Sequence, residues 1–471
     1  MRDLIIIGGG VGGLVTASVA AQLGLRVALI EKSGRLGGDC LHCGCVPSKT
    51  FIKSAKVASL MRRGEAFGLP GYRPEVDLGG VNEHVHAVIA DLQAHDDPAR
   101  FRELGVEVLF GEARFRNPQE IEVKGQRLRA RRFVIATGSR PAVPALPGLD
   151  AVSYWTSEQV FDQQRLPERL AVMGAGPVGV ELAQAFQRLG SRVTLFEMAD
   201  EILPREDRAM AGELREIMGA EGVDVRPATR VERVEASGNR RCVYARRGED
   251  RMPVEVDELL VAAGRAPNVE GMGLEAAGVA CGDGGIVVDR RMRTTQRHIF
   301  ACGDVCGPYP FTHMAEHQAG VIISNAVFRW PRRINYRVVP GITYSDPEFA
   351  RVGPTPAEAR QRYPDVEVLW FPFDQVDRAH TEGEAHGRMQ LIVRRGRILG
   401  ATILGPHAGE LIHEVVLAMQ TGIRIRHLAS AIHAYPTLSQ IHRRIVNTRY
   451  APRLFSPGTR RLVRWLQRLV P

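Results

Sequence analysis

Two stretches of the chain carry the same hydrophobic pattern. Asp3 to Ser33, "DLIIIGGGVGGLVTASVAAQLGLRVALIEKS", and Arg169 to Asp200, "RLAVMGAGPVGVELAQAFQRLGSRVTLFEMAD", each open on a short apolar run and pass through a glycine cluster. Each continues at helical spacing into a second apolar run, closed by an acid, Glu31 or Glu197. Short apolar runs bounded by glycine predict buried strands, and the stretch between them predicts an amphipathic helix. Beyond about Val339 the pattern changes. "PGITYSDPEFARVGPTPAEAR" and "GRMQLIVRRGRILGATILG" alternate as antiparallel strands do, whereas "GELIHEVVLAMQTGI" has a helical period. The last segment, Thr459 to Pro471, sets Leu462, Val463, Leu466 and Leu469 on one helical side and Arg460, Arg461, Arg464 and Arg468 mostly elsewhere. Such a helix reads either as one packed on its own protein or as a peripheral membrane contact.

The glycines of the repeated pattern have a chemical reading. In the first copy they are Gly8, Gly10 and Gly13, and in the second Gly174, Gly176 and Gly179. The first of each trio permits a tight turn, the second lets backbone amides approach a pyrophosphate, and the third lets the helix pack on the strand. Glu31 or Glu197, at the end of the second strand, is placed to accept hydrogen bonds from a ribose. Two dinucleotide sites in one chain imply electron transfer between two dinucleotides. A further strand, in "TTQRHIFACGDVC", ends at Gly303 and Asp304, where an acid can meet the sugar-alcohol part of a flavin. Another, in "RRFVIATGSRPAVP", closes at Thr137 and Gly138 and runs into a proline-rich crossing.

At 471 residues, two to four compact units are expected. The net charge of +9 invites a nucleic-acid reading, but only five lysines occur (Lys32, Lys49, Lys53, Lys56, Lys124) and the arginines are scattered. No nucleic-acid motif accompanies them. The early apolar run Leu4 to Ile7 is broken by glycine at Gly8, and no run approaches the ~18–20 residues of a bilayer helix. A cytoplasmic location is the expectation, with the basic tail at the inner membrane face as the variant.

Cysteine usage narrows the chemistry. Seven cysteines, an odd number with three inside "GGDCLHCGCVPSKT", do not form a secreted disulfide framework. They point to redox or metal chemistry at one place. A zinc site built on Cys40, Cys43 and Cys45 needs four ligands, and no second matching pair is evident, so no metal ligand set is expected. On a regular helix the Cα atoms of Cys40 and Cys45 would lie about 8.6 Å apart, beyond the ~7 Å a disulfide tolerates, and those of Cys40 and Cys43 about 5 Å. Pro47 disfavours the helical region at Val46 and Gly44 loosens the turn, so the segment need not be regular helix. Residue geometry alone leaves the pairing open.

The motifs, taken in order, resemble the flavin-dependent pyridine nucleotide–disulfide oxidoreductases, the family of dihydrolipoamide dehydrogenase, glutathione reductase and mercuric reductase. The resemblance rests on the Gly8–Gly13 turn, Cys40 and Cys45 with "VPSK", "ATG" at Ala136–Gly138, and the Gly174–Gly179 turn. "AAGRAPN", "CGDV", "FTHMAEHQA" and "HAYPTLSQ" complete it over nearly the full length. It implies a glutathione reductase-like α/β fold, with two Rossmann-like domains for FAD and NAD(P) and a C-terminal α+β dimerisation domain. The implied boundaries are 1–150 and 269–338 for the FAD-binding and central parts, 151–268 for NAD(P), 339–455 for dimerisation, and 456–471 for the basic tail.

The family pattern also implies residue roles. Cys40 and Cys45 form the redox disulfide, Cys45 facing the flavin and Cys40 exchanging with substrate, so Cys43 is an additional thiol. Lys49 lies beside the flavin and pairs with Glu181. FAD contacts fall on Gly8, Gly10, Gly13, Glu31, Lys32, Gly38, Asp39, Lys49, Thr137, Gly138, Gly303, Asp304 and Ala315. Those of the nicotinamide nucleotide fall on Gly174, Gly176, Gly179, Glu197 and Gly264. Glu197 favours a free ribose 2′-hydroxyl, and so NADH over NADPH, with Arg205 the residue that could oppose it. A homodimer is implied.

One site departs from the family. Disulfide reductases read His-Pro-Thr near the C-terminus, followed by a glutamate, and use that histidine across the dimer as acid–base. Here the positions hold Tyr435 and Gln440, with His433 two residues away as a substitute acid–base group. Tyrosine's unperturbed pKa of about 10 makes it a poor general base at neutral pH. Mercuric reductases dispense with that histidine, but they end in adjacent cysteines, and no cysteine follows Cys306 here. The expectation is therefore a flavoprotein passing electrons to a disulfide, a dithiol, a thiophilic metal ion or a quinone. The alternative is a membrane-associated electron-delivery or redox-sensing protein.

Overall fold

The structure, a computed structural model, describes residues 1–469. Five parallel strands form the first sheet, in the order Ile299–Ala301, Phe133–Ile135, Leu4–Ile7, Val27–Glu31, Val106–Phe110. Leu4–Ile7 and Val27–Glu31 are buried at every position, as strands covered on both faces must be. The helix Val11–Gln22 crosses between them and packs on a second helix, Thr312–Ile322. A strand near residue 300 thus returns to the sheet begun at residue 4, across an inserted unit.

That unit holds the second copy of the pattern. Its parallel sheet runs Asp224–Arg226, Arg192–Phe196, Arg169–Met173, Glu258–Val261, with the helix Pro177–Leu189 as crossover. An antiparallel ribbon, Arg230–Ser237, Arg240–Arg247 and Asp250–Val256, flanks it. The proline-rich crossing is anchored where Ser139–Pro141 pairs with Arg265–Pro267.

The third unit is an antiparallel sheet in the order Pro340–Thr343, Glu348–Val352, Arg397–Gly405, Arg388–Arg394, Glu367–Pro372. The helices Ala408–Thr421 and Gln440–Leu454 cover it, as the alternation after Val339 predicts. The tail forms the helix Pro457–Leu469, with the last two residues outside the described range. No residue of that helix is buried, and Leu462, Val463, Trp465, Leu466 and Leu469 are all exposed. The reading of the tail as packed on its own protein does not hold within this chain. No helix among the described residues is long and apolar enough to cross a membrane.

Candidate active site

The two glycine turns have matching geometry. Gly8 has φ 109° and Gly174 φ 101°, conformations that exclude a side chain, and a Cβ at Gly13 or Gly179 would overlap the carbonyl of Gly8 or Gly174. Gly10 and Gly176 sit at the N-caps of Val11–Gln22 and Pro177–Leu189, and neither helix has a side-chain cap. The first-turn amides are left to an anion, and almost nothing crowds either cap residue. Glu31 accepts from the Gly9 and Ser33 amides at 2.6 and 2.7 Å, and Glu197 from the Ala175 and Ala199 amides at 2.8 Å each. Both acids therefore brace the loop of their own glycine turn. This open, amide-lined cradle fits a dinucleotide pyrophosphate in both places.

Around the first turn the chain collects residues far apart in sequence. Arg265 donates to Asp39 at 2.8 Å and to the Ser139 hydroxyl at 2.8 Å, and Ser139 donates to Asp304 at 2.6 Å. Burial raises the Asp39 carboxyl above its usual range, with Arg265 opposing. Thr137 and Asn268 exchange two 2.8 Å hydrogen bonds, which fix the "ATG" turn at Gly138. The Gly303 amide donates to Gln318 at 2.7 Å. Gly38 packs against Gly10, and Ala315 lies beside Gly12. Lys32 is exposed. Gly264 lies between the strands Glu258–Val261 and Arg265–Pro267. Arg265 sits in the "AAGRAPN" motif, yet its bridge to Asp39 across 226 residues had no local signal.

The three cysteines stand in unlike environments. The helix Gly38–His42 stops, Cys43 and Gly44 leave helical geometry, and a new helix, Cys45–Arg62, begins. The regular-helix distances therefore do not apply. The break falls at Cys43–Gly44, not at Val46, because Pro47 occupies the first turn, where a missing amide costs nothing. A side chain at Gly44 would come to 3.0 Å from the Asp39 carbonyl. All seven cysteines are free thiols here, and Cys40 and Cys45 share a hydrogen bond.

That contact polarises the pair. The bond from Cys40 pulls Cys45 down to about 6, with Thr312 at 3.4 Å and the Lys49 charge assisting against burial. Cys45 also stands at a helix start, which favours a thiolate. The same hydrogen bond, with burial, pushes Cys40 far up, so it holds the shared proton. Cys43 is pushed up to about 11 by burial and Asp39. It makes no bond to either partner.

Lys49 lies one turn past Cys45 and donates to Glu181 at 2.9 Å, with its ammonium 4.6 Å from the Tyr344 ring centre. Burial pulls Lys49 down, but the Glu181 carboxylate outweighs it and the pKa is raised. Glu181, 5% exposed on the crossover helix of the inserted unit, also accepts from the Tyr344 amide at 2.8 Å. One carboxylate thus ties the cysteine helix, the second Rossmann unit and the C-terminal unit together.

At the expected acid–base position, Tyr435 is 70% exposed and Gln440 opens the helix Gln440–Leu454. Among the described residues no hydrogen bond joins either to the cysteines. His433 does not share a face with Tyr435 toward solvent. Its ring is turned inward against Glu414, at 3.1 and 3.3 Å, beside the buried His442. It is not available as a substitute acid–base group in this conformation.

Residues 2–319 match the model of the pyridine nucleotide-disulphide oxidoreductase family, and residues 339–444 match that of its dimerisation domain. The chain belongs to this family. Among curated members, mercuric reductase of Staphylococcus aureus is 32% identical over 441 residues, covering 93% of this chain and 80% of that protein. Dihydrolipoyl dehydrogenase of Thermus scotoductus is 38% identical over 444 residues, covering 93% and 95%. Among solved structures, a Cu(II) complex of the HOCl-induced flavoprotein disulfide reductase RclA from Escherichia coli superposes with a TM-score of 0.86 at 29% identity, covering 94% of this chain and 99% of that one. The family binds FAD and a pyridine nucleotide, and the dimerisation domain marks a homodimer. This oxidoreductase is an enzyme of the disulfide-reductase class.

Proposed function

We propose that the chain oxidises NADH and delivers the electrons through Cys40 and Cys45 to a thiophilic acceptor. The acceptor is a disulfide or a soft metal ion. The observation that carries this reading is the polarised thiol pair beside the Lys49–Glu181 ion pair. Bound FAD, held by the Gly8–Gly13 turn, Glu31, Asp39, Thr137–Gly138, Gly303–Asp304 and Ala315, would supply two-electron transfer between the nicotinamide and the sulfurs. Gly174, Gly176, Gly179, Glu197 and Gly264 hold the nicotinamide nucleotide. Residues 1–150 and 269–338 form the flavin part, 151–268 the nicotinamide part, and 339–455 the dimer part.

Within the thiol pair, Cys45 keeps the ionised state at neutral pH while Cys40 retains the proton. Lys49 stabilises the negative sulfur, and Glu181 keeps Lys49 in place and charged. Cys40, half-buried, is the thiol that reaches the acceptor. Tyr435 is exposed for contact with the partner subunit and offers a hydrogen-bond donor rather than a base. That chemistry favours acceptors whose reduction needs no histidine-mediated proton shuttle, and so a metal ion or an activated disulfide over lipoamide. Glu197, with no arginine immediately after it, favours NADH. Steady-state oxidation of NADH and NADPH with lipoamide, glutathione disulfide, Hg(II), Cu(II) and quinones tests the reading. Thiol counting before and after NADH should find two new thiols per chain, lost in Cys45→Ser. No new thiols would end the proposal.

The exposed apolar side of Pro457–Leu469, with four arginines opposite, supports a contact between the tail and another surface. Vesicle co-sedimentation with and without residues 459–471 tests a membrane as that surface. Unchanged partitioning ends it.

A further inference from the structure

Three side chains that the redox route does not use converge in the C-terminal unit. Glu414 comes from the helix Ala408–Thr421, His433 from the loop that carries Tyr435, and His442 from the helix Gln440–Leu454. The Glu414 carboxylate lies 3.1 and 3.3 Å from His433 Nε2 and 3.2 Å from His442 Nδ1, and the three ligand atoms all fall within 4.8 Å of one another. No lysine or arginine among the described residues pairs with Glu414. Its charge faces two imidazoles alone.

We propose that Glu414, His433 and His442 form a binding site for a divalent first-row transition ion, zinc foremost. An ion with tetrahedral bonds of ~2.0–2.1 Å holds its ligand atoms about 3.3 Å apart, and the carboxylate–imidazole separations here match that. Two imidazole nitrogens and one carboxylate form a borderline donor set suited to zinc, copper or nickel. Three protein ligands leave a fourth position for water.

The surroundings fix the ligand orientations. His433 Nδ1 lies 3.2 Å from the Ala431 carbonyl, the arrangement that orients a metal-bound histidine from behind. The His442 ring is 1% exposed, its Nδ1 also lies 3.0 Å from the Ser439 carbonyl, and its Nε2 has no hydrogen-bond partner. Burial of these donors around one carboxylate is what a bound cation would offset. The ion would tie two helices to the Tyr435 loop.

The test uses the flavin-loaded dimer with Cys40, Cys43 and Cys45 changed to serine, dialysed against EDTA and titrated with Zn2+ alone. Calorimetry should give one ion per chain, and X-ray absorption at the zinc edge should show a nitrogen and oxygen shell without sulfur. Glu414→Gln and His433→Gln should each weaken binding by about 100-fold. His433 sits on a loop, so its variant keeps the test valid if substitution at the buried His442 prevents folding. Binding weaker than about 10 μM, a sulfur shell, or affinity unchanged in both variants would overturn the proposal.

Discussion

The sharpest consequence of the structure is an ordering of cysteine reactivities inside six residues. With Cys45 at about 6 and Cys43 at about 11, neutral pH leaves the first about 90% thiolate and the second about 0.01%. Ionisation alone favours Cys45 by about 10⁴. Intrinsic nucleophilicity falls with pKa, with a slope of about 0.4–0.5, and over five units returns a factor of roughly 100–300. The net expectation is roughly thirty- to a hundredfold faster alkylation at Cys45.

The assay is pulsed iodoacetamide labelling of the reduced holoenzyme, digestion with trypsin and fragmentation of the peptide 36–49, which carries all three sites. The Cys45 rate should be flat above pH 7 and fall about tenfold per pH unit well below 6, because only the thiolate reacts. Cys40→Ala removes the largest stabilising contact and should move the midpoint to higher pH. Lys49→Met should move it the same way but by less than Cys40→Ala, because the lysine charge is the smaller contribution. A Cys45 midpoint near the ordinary 9.0, or Cys43 labelling as fast as Cys45, would refute the polarised-pair argument.

Other consequences are checked more simply. Glu181→Gln leaves the Lys49 ammonium without its carboxylate, and chemical denaturation should show a loss of about 1–3 kcal/mol, less than the ~3–5 kcal/mol of a fully buried pair because the Lys49 side chain is 33% exposed. Gly179→Ala drives a methyl into the Gly174 carbonyl, so NADH binding followed by fluorescence should weaken more than tenfold while flavin content is retained. The double change Tyr435→His with Gln440→Glu restores a histidine–carboxylate dyad, and turnover of dihydrolipoamide should rise by about 10²-fold at neutral pH. No rise would place the missing acid–base function elsewhere.

Much of this protein is written locally. A glycine where two backbones nearly touch, a four- or five-residue apolar strand and an acid closing the next strand are all confined to one stretch of about thirty residues. The FAD-type and NAD-type turns and the alternating third unit could accordingly be read without a fold. The cysteine pairing could not. Ideal helix geometry pointed away from Cys40–Cys45, and only the break at Cys43–Gly44 brings those sulfurs together. Family resemblance supplied the pairing of Lys49 with Glu181, whereas the third connection of that carboxylate, to Tyr344, belongs to the folded chain. The Arg265 bridge to Asp39, the inward turn of His433 and its meeting with Glu414 and His442 left no mark in the pattern. Periodicity reports which face of an element is buried, but not which buried polar groups meet. That is decided when separate elements pack and every charge taken from water must find a partner.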